Sequence, residues 1–116
     1  MRPLLFAALL LAAAPALAQR VQAGLECKPA PGLLTYDCII RLSRGGQPLS
    51  GIGVSVGADM PSMPMAHNVK PVKASAGDKP GEYRVRLELE MNGEWAVKLR
   101  LSGAVRDQII VKRKFE

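Results

Sequence analysis

The sequence predicts an all-β fold, an immunoglobulin-like antiparallel β-sandwich of about seven strands. Three observations predict it. Past the first 18 residues no segment sustains a helical period. Turn signals recur at short intervals: Pro29 to Gly32, Gly45-Gly46, Ser50-Gly51, Pro61 to Pro64, Gly77 to Gly81, Asn92-Gly93 and Ser102-Gly103. Between them lie short β-rich runs whose apolar residues are mostly Val, Leu and Ile.

The chain opens with a different kind of segment. Arg2 gives a positive start, Leu4 to Ala14 contains no polar residue, Pro15 breaks the run, and Ala16-Leu17-Ala18 has the small-x-small form that a signal peptidase cuts. Together these predict a secretory signal peptide over residues 1–18. The run is shorter than the about 20 apolar residues a membrane span needs. Cleavage after Ala18 leaves residues 19–116 as a single domain, periplasmic or secreted, with no stable membrane insertion. No Cys sits at the junction, so no lipid anchor is expected there.

Loss of Arg2 takes the formal net charge from +6 to +5. Apart from Lys112-Arg113-Lys114, the basic residues are scattered and alternate with apolar ones, and no aromatics interleave with them to stack bases. This is the pattern of a solvated basic surface, and no nucleic-acid partner is expected.

Strands are expected at about 21–27 and 34–43, and Cys27 and Cys38 fall one on each. In an oxidising compartment a pair at hairpin spacing reads as a disulfide, with Pro29, Pro31 and Gly32 supplying the turn. The alternative is a pair of soft metal ligands, against which stand a spacing wider than C-x-x-C and the lack of a nearby His. Further strands are expected at about 51–57, 68–74 and 107–115. The clearest runs from Tyr83 to Met91, where Tyr83, Val85, Leu87, Leu89 and Met91 alternate with Arg84, Arg86, Glu88 and Glu90. From Trp95 to Leu101, residues Trp95, Val97, Leu99 and Leu101 share one face, with Lys98 and Arg100 on the other. A two-residue turn at Asn92-Gly93 would set Leu87 opposite Lys98, charge against core. Either a three-residue loop, Asn92-Gly93-Glu94, pairs Met91 with Trp95, or the chain crosses to a second sheet. In both cases Met91 and Trp95 lie near one end of the sandwich.

The stretch Met60-Pro61-Ser62-Met63-Pro64-Met65-Ala66-His67 holds three of the five methionines and the single histidine. Its prolines forbid helix and disfavour a central strand, so the methionines are no obvious core stripe. Thioether sulfur is a soft donor and imidazole a borderline one, a combination suited to Cu(I) and ill suited to Mg²⁺ or Ca²⁺. On a flat strand Met63, Met65 and His67 would share one face at about 6.6 Å per step. A single ion needs its donors within about 2–2.5 Å, so the segment must bend. Two of these three with Met60 or Met91 would make a three-donor site. The bland alternative is that the methionines plug an irregular gap at one end of the sandwich.

This stretch, followed by Gly81-Glu82-Tyr83 and then Met91-Asn92-Gly93-Glu94-Trp95 opening an alternating strand, resembles the YtkA-like domains, related in motif to FixH-type exported domains. The resemblance spans about residues 46 to 112 and leaves the Cys27–Cys38 segment outside. It implies an immunoglobulin-like sandwich and a role in handling copper or assembling copper oxidases outside the cytoplasm. By similarity the ligand candidates are Met63, Met65 and His67, with Met60 and Met91 in reserve. The partners it implies are the copper ion and a copper oxidase assembly or copper-resistance protein.

The expected function is therefore an exported copper-binding protein, a Cu(I) carrier, buffer or assembly factor with a Met/His site. The alternative is a metal-free interaction module gripping a partner with a Met-rich end. An enzyme is not expected, because nothing resembles a nucleophile elbow, a phosphate loop or a paired-carboxylate site.

Overall fold

The computed structural model describes residues 20–63 and 65–116. The expected signal peptide and its cleavage point lie outside the described residues. The strands are β1 (Gln22–Pro29), β2 (Thr35–Arg44), β3 (Gln47–Pro48), β4 (Gly53–Asp59), β5 (Asn68–Lys73), β6 (Ser75–Ala76), β7 (Glu82–Glu88), β8 (Gly93–Ser102) and β9 (Asp107–Phe115). Seven are long, and β3 and β6 are two-residue pairings. One sheet has the order β1-β2-β7-β6, with β3 also on β2; the other has the order β5-β4-β8-β9. All pairings are antiparallel. Among the described residues there is no helix long and apolar enough to cross a membrane.

The alternation of side chains decides the packing. β2 buries Tyr36, Cys38, Ile40 and Leu42, and β7 buries Tyr83, Val85 and Leu87; β4 and β8 answer with Val54, Val56, Trp95, Val97, Leu99 and Leu101. Each such side chain contributes roughly 1.5–3 kcal/mol when fully buried. The wet face of β7 carries Arg84, Arg86 and Glu88 as expected.

Tyr83 and Trp95 lie on strands of different sheets, so no hairpin joins β7 to β8: the chain crosses over at 89–92. Each strand already has two partners, β2 and β6 for β7, β4 and β9 for β8. Crossing lets their apolar faces meet across the core instead of side by side. Pairing of β7 therefore stops at Glu88, short of the expected Met91. Beyond it, the Leu89 amide donates to the Leu34 carbonyl at 2.9 Å, and Trp95 Nε1 donates to the Met91 carbonyl at 3.1 Å. Met91 and Trp95 thus share one end. β4 runs Gly53–Asp59 rather than 51–57, because Gly51, at φ 71°, belongs to the preceding turn.

Cys27 and Cys38 face each other across the β1–β2 ladder and are disulfide-bonded, with Cα atoms 4.0 Å apart. Their sulfurs are committed to each other, which removes the soft-ligand alternative. β5 carries Pro71 at the edge of its sheet, where a bulge opposite Val56–Ala58 accommodates a residue without an N–H. Gly81, at φ 75°, passes so close to β2 and β3 that a Cβ would lie 2.7 Å from the Leu42 carbonyl oxygen. β9 turns Ile109, Val111, Arg113 and Phe115 inward. Arg113 Nη2 donates to the Leu25 carbonyl, bridging β9 to β1, and its Nε is buried without a hydrogen-bond partner among the described residues.

Candidate metal site

β4 and β8 place one end of the sandwich at Asp59 and Ala96, which pair with each other, while Asp59 also pairs with Asn68 at the start of β5. The segment from Met60 to His67 springs from this closed base. The Met60 amide donates to the His67 carbonyl at 3.3 Å, and the Met63 amide to the Met60 carbonyl at 3.0 Å. The Met63 carbonyl accepts from the amides of Ala66 and His67, both at 3.2 Å. The segment is therefore a hydrogen-bonded loop and not an extended strand, which supplies the bend that a common metal site requires.

The same fold end gathers the other groups. Tyr36, its ring tilted 59° to that of Phe115 with centroids 4.8 Å apart, sets its hydroxyl 3.0 Å from Asn92 Oδ1 and 3.3 Å from the Glu116 carbonyl. This ties the β7–β8 crossover to the C-terminal end of β9. The crossover carries Glu90 and Met91, and the His67 Nδ1 lies 2.5 Å from Glu90 Oε2.

The five sulfur and nitrogen candidates take different positions here. Met60 is 4% exposed and belongs to the core. Its terminal methyl packs on Gly93, where a Cβ would lie 2.9 Å from Met60 Cε. Met91 is partly buried against the same core. Met63 is 39% exposed and Met65 is 93% exposed. His67 is half-buried, with Nδ1 engaged by Glu90. The backbone thus brings Met60, Met63 and His67 into one closed loop, with Met65 its most exposed methionine and Met91 at the same end by way of Glu90 and Trp95. The plug reading fits Met60; it does not fit Met65, which stands almost wholly in solvent.

Glu90 escaped the sequence reading, which gave it only the wet face of a strand. The available signal was its place one residue before Met91, past the last paired residue of β7. An open cleft of about 610 Å³ beside β5, lined by Asn68, Lys70, Arg86, Glu88 and Glu90, borders this His–Glu pair. Farther along the outer face of the first sheet, Arg86 Nε donates to Asp37 Oδ1 at 2.8 Å. That bond holds the Asp37 carboxyl below the usual carboxylate range and raises the guanidinium in turn.

Among the described residues no three His, Cys, Asp or Glu side chains cluster as a metal cage. The donors this end offers are two exposed neutral thioethers and one imidazole. That set suits a soft monovalent ion such as Cu(I) far better than a hard, oxygen-seeking one.

The model of the YtkA-like family matches residues 20–100. The match takes in the Met/His loop, Glu90 and Met91. It also begins upstream of Cys27, so the disulfide hairpin falls within the family's domain and not outside it, contrary to the narrower span expected from the motifs. No curated protein and no solved structure matches the chain.

Proposed function

This chain belongs to the YtkA-like family, and on that premise we propose that it is an exported copper-binding protein that holds Cu(I) at the Met/His end of its sandwich as a carrier, buffer or assembly factor. The observation that carries the reading is the exposure of Met63 and Met65 on the same short loop as His67. Burying a methionine side chain is worth roughly 1.5–3 kcal/mol. Met60 gains that stabilisation, Met63 forgoes part of it, and Met65, standing almost wholly in solvent, forgoes nearly all of it. Side chains placed for packing would not stand in solvent, whereas ligands for an ion that must be taken up and passed on have to. Few, neutral, accessible donors also favour release to a partner over permanent capture. The disulfide and the leader-like N-terminal sequence support a periplasmic or secreted location.

The test is a Cu(I) titration of the mature, oxidised protein against a colorimetric chelator, with the Met63→Leu/Met65→Leu/His67→Ala variant alongside. Tight 1:1 binding that disappears in the variant is the expected result. No binding by the wild type, with both proteins folded, would sink the copper reading.

A second reading has one observation in its favour. Leu33, in the β1–β2 turn at this same end, is 90% exposed, so three large apolar side chains face solvent there. Met-rich surfaces adapt to protein partners, and a metal-free docking end would tolerate His67→Ala. The copper site would not.

A further inference from the structure

We propose that Glu90 is the positioning residue of this end of the molecule: it holds the His67 ring in the tautomer that carries hydrogen on Nδ1 and leaves Nε2 as the nitrogen with a lone pair to donate. The proposal rests on the reading of His67 as a ligand, and it concerns which of the two ring nitrogens does the binding.

The chemistry follows from the contact. An ionised carboxylate has lone pairs and no proton to give. A separation of 2.5 Å between Glu90 Oε2 and His67 Nδ1 therefore puts the hydrogen on Nδ1. A neutral imidazole has one N–H, so Nε2 keeps its lone pair. Hydrogen bonds to a charged acceptor belong to the stronger class. A carboxylate set behind an imidazole in this way fixes the ring's orientation and raises the basicity of its far nitrogen toward a metal.

Both halves of the pair are held from the backbone, which is what makes the contact a built one. His67 donates its amide to the Met63 carbonyl and accepts from Met60 through its own carbonyl. Glu90, 23 residues away, sits between two anchored neighbours: the Leu89 amide is bonded to Leu34, and the Met91 carbonyl takes the Trp95 indole hydrogen. The carboxylate and the ring are thus presented to each other by separate, pinned segments. Glu88, also on the wet side, faces the same cleft but makes no hydrogen bond to the ring.

Long-range proton–nitrogen NMR of the metal-free protein at pH 7.5 reads the tautomer directly. An imidazole free in water prefers its hydrogen on Nε2, so a wild-type ring with hydrogen on Nδ1 alone is the expected signature. Glu90→Ala should lose it, Glu90→Gln should keep it because the amide oxygen still accepts, and Glu88→Ala should leave it untouched. Chelator competition should then show Cu(I) affinity falling about 10–100-fold in Glu90→Ala, recovering in large part in Glu90→Gln and holding in Glu88→Ala. A wild-type ring with its hydrogen on Nε2 would overturn the proposal, as would equal Cu(I) losses in Glu90→Ala and Glu88→Ala. A wild type with the Nδ1 hydrogen that takes up no Cu(I) would defeat the copper reading while leaving Glu90's hold on the ring established.

Discussion

Met60 and Met63 are three residues apart, yet the structure gives them opposite duties, and substitution separates the two. Met60 lies in the core with Trp95, and its methyl fills the space over Gly93. Truncating a buried Met to Ala costs about 2–5 kcal/mol, the upper part of the range applying where neighbours cannot collapse into the gap. Gly93 has no side chain to move inward, and Trp95 is pinned by its bond to the Met91 carbonyl, so Met60→Ala should fall in the middle of that range, about 3 kcal/mol. At about 4–8 °C per kcal/mol for a domain of this size, the melting temperature should drop by roughly 12–24 °C. Met60→Leu keeps volume and apolarity and should cost less than about 1.5 kcal/mol. Urea denaturation followed by Trp95 fluorescence measures both. Chelator competition, run where each variant is fully folded, should give Met60→Leu the wild-type Cu(I) affinity, while Met63→Leu and Met65→Leu lose affinity without losing stability. If Met60→Leu were as stable as wild type but bound Cu(I) tenfold more weakly, the buried thioether would be a ligand and the division drawn here would be wrong.

Replacing the disulfide by Cys27→Ala/Cys38→Ala reopens a short loop in the unfolded chain and should cost about 3 kcal/mol by the chain-entropy estimate, read as the difference between urea midpoints; a loss below about 1 kcal/mol would contradict it. Gly81→Ala combines a left-handed backbone with a Cβ 2.7 Å from the Leu42 carbonyl oxygen, whereas Gly46→Ala meets the same kind of backbone, φ 76°, with open space around it. The first should cost at least about 2 kcal/mol and the second about 1 kcal/mol, and equal losses would remove the clash from the account. Asp37, its folded pKa lowered by Arg86, stabilises the fold above the unfolded carboxylate value of about 3.9, and that contribution fades as pH falls through the lowered folded value. Being exposed, the pair contributes little; Asp37→Asn should lower the melting temperature slightly at pH 7, and its curve should merge with that of wild type as pH falls through the lowered folded value.

Much of the fold was legible in the sequence because a strand half in water writes its orientation into every second residue. Tyr83, Val85, Leu87 and Leu89 announced one buried face, Trp95, Val97, Leu99 and Leu101 another, and both are buried. Periodicity says which way a side chain points and not which strand lies alongside, so it could not decide between a hairpin and a crossover at Asn92. Spacing and an expected oxidising compartment favoured the Cys pairing in the sequence, and the metal alternative fell only when the register set the two residues opposite each other with their sulfurs bonded. The loop was harder. Between Met60 and His67 there is no period to read, and the prolines say only what the segment is not. That Met60 turns inward while Met65 stands in solvent is decided by the loop's own hydrogen bonds. Glu90 was invisible for a different reason: its partner is 23 residues away, and carboxylates on a wet face look alike until the chain folds.

One feature of β9 bears on the company the molecule keeps. β1 and β9 are the outer strands of the two sheets on the same side, each with a row of backbone groups that a second chain could extend. An open seam lined only with Val and Ile would invite such addition, and with it fibres. Arg113 sits in that seam, its guanidinium bonded across to Leu25 and its Nε left unmatched, a charge aimed inward where an intruding strand would have to bury it. Arg113→Leu should therefore give a monomer at least as resistant to urea, yet one that scatters light on standing at high concentration while wild type stays clear. A sandwich spends time with its edges exposed while it folds, and an awkward arginine keeps those edges solitary.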